Sequence, residues 1–351
     1  MYLVMPRITV KKRKLLNKKD FNVKVRPGDD FYEFVNGGWL TRTEIPETES
    51  RWGSFYILHD ENRKQLKTIM QEIVSKKNAP RGSDMQKMRD LYLSSMNRSK
   101  RNKLGLSPLS KHIDMIENLS GKKEFTFLFA KLHEIEVNAF WDIYVDQDDK
   151  DSEKMVLRLH QGGLGMPDRD YYLKNDPDSK RVRTAYQKHI VAILKLAGFS
   201  PTKARVSCKD IMDIETRLAR VSMTRVERRN VKAQYNKKTV RELERLVPSI
   251  DWQKYLELID APKLRTVIVD QPLFLKEVEK VLRSAPLPKL KTYLFWHLVN
   301  GYAGVLSDDF VRANFNFYGK VIAGTRKLQP QWKLSLSAVQ GSMGFALGRI
   351  Y

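Results

Sequence analysis

Six histidines, His59, His112, His133, His160, His189 and His297, are the residues in this sequence best suited to metal or proton-transfer chemistry. No two lie four apart, so no helix can present a pair of them to one zinc ion. His133-Glu134 opens like an HExxH signature, but Val137 stands where the second histidine would have to be, and the dipeptide reads as chance. Cys208 falls on the apolar side of a helical stretch, where it reads as a small buried residue rather than a thiolate nucleophile. Gly-x-Ser-x-Gly is absent. Gly162-Gly163-Leu164-Gly165 follows a strand-like run, yet no P-loop lysine comes after it and Pro167-Asp-Arg-Asp170 is a poor helix start for phosphate, so a shaped turn is expected. Asp146, Asp148, Asp149 and Asp151 resemble a loose calcium loop without the central glycine and terminal glutamate of an EF-hand; they are expected only to keep a hairpin loop solvated. These residues yield no catalytic residue and no metal site.

The elements that would carry them are mostly helices. Phe55, Leu58, Leu66, Ile69, Met70 and Ile73 predict a long amphipathic helix from Ser54 to about Ser75. Ser83 with Gln86 forms a capping box ahead of Met85, Met88, Leu91 and Tyr92. Phe125, Phe127, Leu128, Leu132 and Ile135 continue the helical period. Phe140 to Val145 and Met155 to Leu159 are aromatic and β-branched around a polar turn, which predicts a two-stranded hairpin. Helices resume near Asp178 and after Ser200-Pro201, the second with Ile211, Ile214, Leu218 and Val221 on its buried face. Val267 to Val269 suggests a short strand, followed by helices over Gln271–Leu282, Leu287–Val305 and Ser307–Ile322. The fold class is mainly α, one large multi-helix domain with a small β-hairpin insertion.

The chain has 351 residues, 42% of them hydrophobic, enough for one large core or two moderate ones. No stretch reaches the roughly 18 apolar residues of a membrane span. The N-terminus, with Lys11, Lys12, Arg13 and Lys14 after a very short apolar piece, reads as a solvated basic tail over 1–24 rather than an export signal. A single cysteine excludes an internal disulfide. Cytoplasmic residence is the expectation, with export as the alternative. Lys and Arg exceed Asp and Glu by 64 to 41, but the charges are interleaved, as in Arg241-Glu-Leu-Glu-Arg245, and no nucleic-acid module accompanies them.

Longer strings add a resemblance. Arg26-Pro-Gly-Asp-Asp-Phe-Tyr-Glu-Phe-Val-Asn-Gly-Gly-Trp-Leu40, Ile45-Pro-Glu-Thr48 and Ser50-Arg-Trp-Gly-Ser-Phe55 resemble the opening of the neprilysin and oligoendopeptidase O family of zinc metallopeptidases. Leu164-Gly-Met-Pro-Asp-Arg-Asp-Tyr-Tyr-Leu173, Arg225-Val-Glu-Arg-Arg229, Tyr293-Leu-Phe-Trp-His297, Phe317-Tyr-Gly319 and Gly341-Ser-Met-Gly344 continue it in the family's order, over about residues 25–351. The resemblance implies a helical lid domain over 25–351 that limits substrate size. The thermolysin-like catalytic half, with HExxH and the zinc cofactor, is expected downstream as the missing C-terminal partner.

It also implies that Arg51 clamps the C-terminal carboxylate of a short peptide substrate, a task suited to a planar, always-charged fork, and that Phe55 lines the same cleft. Tyr56 and His59 depart from the aspartate and second arginine of mammalian members, which leaves the clamp to Arg51; the bland reading of Arg51 is an ion pair with Glu47 or Glu49. Phe31, Tyr32, Gly37 and Trp39 are expected to serve packing, with an apolar patch exposed where the catalytic half would lie. The reading that results is the substrate-gating N-terminal part of a zinc metalloendopeptidase, inactive without the HExxH domain. The alternative is a standalone peptide- or protein-binding module with the same fold.

Overall fold

The computed structural model describes residues 17–76 and 78–351, so most of the expected basic tail lies outside the described residues. Sixteen α-helices and four strands are found among them. The first group is α1 (Phe31–Arg42), α2 (Ser54–Ser75), α3 (Asp84–Met96), α4 (Arg98–Leu104), α5 (Ser110–Glu117) and α6 (Phe125–His133). Strands β1 (Trp141–Asp148) and β2 (Asp151–Gln161) follow, then α7 (Asp170–Leu173), α8 (Pro177–Leu196), α9 (Pro201–Val221) and α10 (Val231–Gln234). The remainder is β3 (Lys237–Thr239), α11 (Val240–Leu246), α12 (Trp252–Leu258), β4 (Thr266–Val269), α13 (Pro272–Ser284), α14 (Leu287–Tyr302), α15 (Asp308–Asn314) and α16 (Gln331–Gly348). None of these helices is long and apolar enough to cross a membrane.

The helix starts follow their caps. Asp30, Ser83, Asp176 and Ser200 each accept the backbone N–H three residues on, which satisfies a donor the helix itself leaves free. The hairpin is present, but it belongs to a larger sheet of order β1-β2-β4-β3, in which β2 and β4 run parallel and the other pairs antiparallel. The helix expected to run unbroken to Ile322 changes character at Phe315, from where eight residues form a π-helix, the wide-turn geometry that rarely persists beyond one turn.

Buried apolar residues form two clusters. The larger lies within Leu109–Phe317 and contains Trp141, Trp252, Trp296, Tyr186 and Tyr293, all nearly inaccessible. The smaller joins Leu66, Ile69, Met70 and Ile73 of α2 and Met88 and Tyr92 of α3 to Leu336, Val339, Ala346 and Leu347 of α16. Asp308, at the start of α15, ties that helix to α4 by accepting from Arg98 (2.6 Å), Arg101 (2.8 Å) and Asn102 (3.1 Å). Those bonds hold its carboxyl well below the usual carboxylate range.

Candidate functional site

Arg51 and Phe55 stand at the start of α2, where the backbone enters through an extended Gly53 with no side-chain cap. The loop before them is fastened to the segment ahead of α16. The Glu47 carbonyl accepts from the backbone N–H groups of Arg326 (3.0 Å) and Lys327 (2.8 Å). The Glu47 carboxylate pairs with Lys327, and Glu49 receives Gln329 (3.3 Å) and lies 3.8 Å from Lys333. Both carboxylates that might have neutralised Arg51 therefore have other partners. Its own guanidinium is exposed and lies over the Tyr56 ring, 5.9 Å from the centroid. Phe55 is 87% exposed. The same opening region leaves Phe31, Tyr32 and Ile45 largely exposed, so Phe31 and Tyr32 are not part of a core among the described residues; Trp39 is half-buried and Gly37 buried, where a Cβ would collide with Glu33 Oε1.

The histidines are dispersed. His133 is buried, its Nε2 facing the Trp141 carbonyl (3.1 Å) and its Nδ1 the Tyr255 hydroxyl (2.6 Å). A carbonyl can only accept, so Nε2 carries the proton, Nδ1 accepts from Tyr255, and the ring is neutral. Burial pushes its pKa down to about 4. His189 faces Asn300, His160 faces Asp270, and His297 lies 3.5 Å from Glu215. No three His, Cys, Asp or Glu side chains among the described residues converge on a metal position, so these residues do not fit a zinc ion. Cys208 is buried, and desolvation pushes its thiol up to about 11, away from nucleophilic reactivity.

The glycine run is a shaped turn. Gly163 has φ +69, and a Cβ on it would lie 2.1 Å from the Ala139 carbonyl oxygen; one on Gly165 would lie 1.8 Å from the Tyr186 hydroxyl. That hydroxyl donates to Glu215, which also accepts from Tyr172 (2.7 Å) and Trp296 (3.2 Å) in the middle of the large core. The aspartates of the hairpin do more than hold water, contrary to expectation. The short turn directs Asp148 inward to Lys237 (2.9 Å) and Asp149 onto Arg158 (2.7 Å), whose other side meets Asp270 at 2.8 Å.

A second arrangement was not foreseen from sequence. Asp142 of β1 lines a cleft of about 310 Å³ whose floor is the turn from Gly162 to Pro167 and whose rim carries Arg169 and Arg228. Its carboxylate, resting above Gly162, has no hydrogen-bond or ion-pair partner among the described residues, and burial pushes its pKa up to about 6 against the opposing pull of His160 and His297.

The chain spans about half the length of the curated relatives it matches. It is 30% identical over 353 residues to endothelin-converting enzyme 1 of Rattus norvegicus, covering 96% of this chain and 45% of that one. Its fold superposes on zinc metalloprotease ZMP1 of Mycobacterium tuberculosis in complex with an inhibitor, with a TM-score of 0.91 and 28% identity, over 96% of this chain and 51% of that one. For the open state of the same enzyme the TM-score is 0.81, at 29% identity, over 93% and 51%. The N-terminal profile of peptidase family M13 matches residues 27–351, and the chain therefore belongs, as an N-terminal part, to this family of metallopeptidases.

Proposed function

We propose that this chain gates substrate for a zinc metalloendopeptidase that cleaves short peptides, with the zinc and the HExxH helix supplied by a C-terminal catalytic domain. In this reading Arg51 receives the C-terminal carboxylate of the peptide and Phe55 packs beside the adjoining side chain. The observation that carries it is the exposed guanidinium of Arg51, which lies over the Tyr56 ring and has no carboxylate partner among the described residues, Lys327 and Lys333 being paired with Glu47 and Glu49. A guanidinium so placed offers two parallel N–H donors to a carboxylate. Phe55, at 87% exposed, supplies an apolar wall of the kind that peptide side chains bury against.

The test is to measure zinc content and cleavage of a quenched fluorescent peptide with the purified chain alone, then after mixing with a catalytic half from a family member. Absence of zinc and activity alone, with activity appearing on mixing, is the expected result. One zinc per chain with turnover by the chain alone would overturn the proposal.

A further inference from the structure

The cleft beneath Asp142 carries two arginines, Arg169 and Arg228, with which Asp142 forms no ion pair among the described residues. Most of its polar wall is internally satisfied: Gln161 exchanges bonds with Met223 (2.6 and 3.3 Å), Tyr318 donates to the Gly165 carbonyl (2.8 Å), and Asp168 takes Arg225 (2.8 Å). Three groups keep unused capacity among the described residues. The Asp142 carboxylate has no hydrogen-bond or ion-pair partner, Arg169 Nε is buried without an acceptor although its Nη2 donates to the Arg220 carbonyl (3.3 Å), and Arg228 acts on Asp168 only by longer-range attraction. A polar group withdrawn from water without a partner is costly, and a charged one more so. Asp142 and Arg169 Nε bear that cost, while the exposed Arg228 offers a solvated guanidinium; a ligand that brings a cation to Asp142 and an anion to the arginines supplies the missing partners.

The geometry points to this cleft as a binding site for a small zwitterion, a free amino acid or dipeptide, with its ammonium on Asp142 and its carboxylate on Arg169 and Arg228. The backbone is shaped for it. Gly162 leaves room for the Asp142 oxygen, since a Cβ there would lie 2.7 Å from that atom, and Gly163 and Gly165 let the turn fold back to form the floor. Burial disfavours the charged carboxylate when it is alone, so an arriving ammonium supplies the counter-charge that its surroundings lack. Arg228 and Pro167 are exposed, which places the entrance on the arginine side. The site is formed by β1, the turn after β2 and the segment before α10, separate from Arg51, and the assignment does not rest on the peptidase reading.

Glycylglycine titrated into the full chain, followed by calorimetry and ligand-observed saturation-transfer NMR, tests this against N-acetyl-glycylglycine and glycylglycinamide. Saturable binding of glycylglycine is expected, weakened at least ten-fold by either cap. Asp142→Asn should abolish the preference for the free ammonium and Arg228→Gln the preference for the free carboxylate. The proposal fails if glycylglycine shows no saturable binding in the millimolar range. It fails equally if Asp142→Asn, verified as folded by circular dichroism, still discriminates between free and acetylated peptide.

Discussion

Lys333, in the first turn of α16, donates to the Asp60 carboxylate of α2, and both side chains are largely buried. Burial works to raise the pKa of Asp60, but the hydrogen bonds and charges of Lys333 and Lys64 outweigh it and hold it below the ordinary carboxylate value. Two helices far apart in sequence are thus tied beside the start of α2 that carries Arg51.

Lys333→Met should cost about 1–3 kcal/mol, because Asp60 keeps only the more exposed Lys64 as a partner. Urea denaturation at neutral pH measures it. The folded pKa of Asp60 is depressed, so its contribution is present above the unfolded value of 3.8 and is lost as pH falls below that value. The wild type and the variant should accordingly converge in stability under acid conditions.

His133 and His189 are both buried with pKa values pushed down to about 4, against 6.5 for a free imidazole. Between those values the unfolded chain binds protons that the native chain refuses, so stability falls as pH drops from 6.5 towards 4. The loss is on the order of 3 kcal/mol per ring if the core does not open. Chemical denaturation across pH 7 to 4.5 should show this slope, and His133→Gln should reduce it even though it lowers the absolute stability.

Gly165→Ala should be among the most damaging single-methyl additions. Its Cβ would overlap the Tyr186 hydroxyl and drive that ring from Glu215, leaving a buried carboxylate short of a donor. A loss of about 3 kcal/mol is expected by urea denaturation, whereas Gly301→Ala, with open space at its Cβ, should change stability by no more than about 1 kcal/mol.

In an assembled enzyme, Arg51→Gln should raise KM for peptides ending in a free carboxylate by about 10- to 100-fold, the worth of a hydrogen bond to a charged group. Peptides amidated at that end should be cleaved equally by both forms. Arg51→Lys should recover only part of the loss, since an ammonium lacks the two-pronged geometry. Steady-state kinetics on the paired peptides decides the matter.

Much of the fold was legible where periodicity and caps agreed. The bounds of α2, the start of α9 at Ser200-Pro201 and the hairpin all followed from local pattern. The helix α16 did not, because Gly341, Gly344 and Gly348 interrupt it, its apolar face is weak, and Met343 departs from helical geometry (φ −135, ψ 31). Strand β3 is Lys-Lys-Thr, three residues of which only Thr239 favours a strand; β4 recruits it by pairing. Arg51 and Phe55 entered only through resemblance, since one exposed arginine and one phenylalanine form no chemical pattern by themselves. Asp142 could not be singled out, because the turn and the arginines that share its cleft come beside it only in three dimensions.

The second core has a consequence for synthesis. Its apolar stripe on α2 and α3 is complete once Tyr92 has been made, but the covering residues begin at Trp332. At about 5–20 residues per second the ribosome needs roughly 12 to 50 s to bridge that gap, during which the larger cluster, with every member between Leu109 and Phe317, can assemble. The early helix pair must wait, partly uncovered, as a natural client for chaperones, and a chain released before α16 would keep that stripe bare.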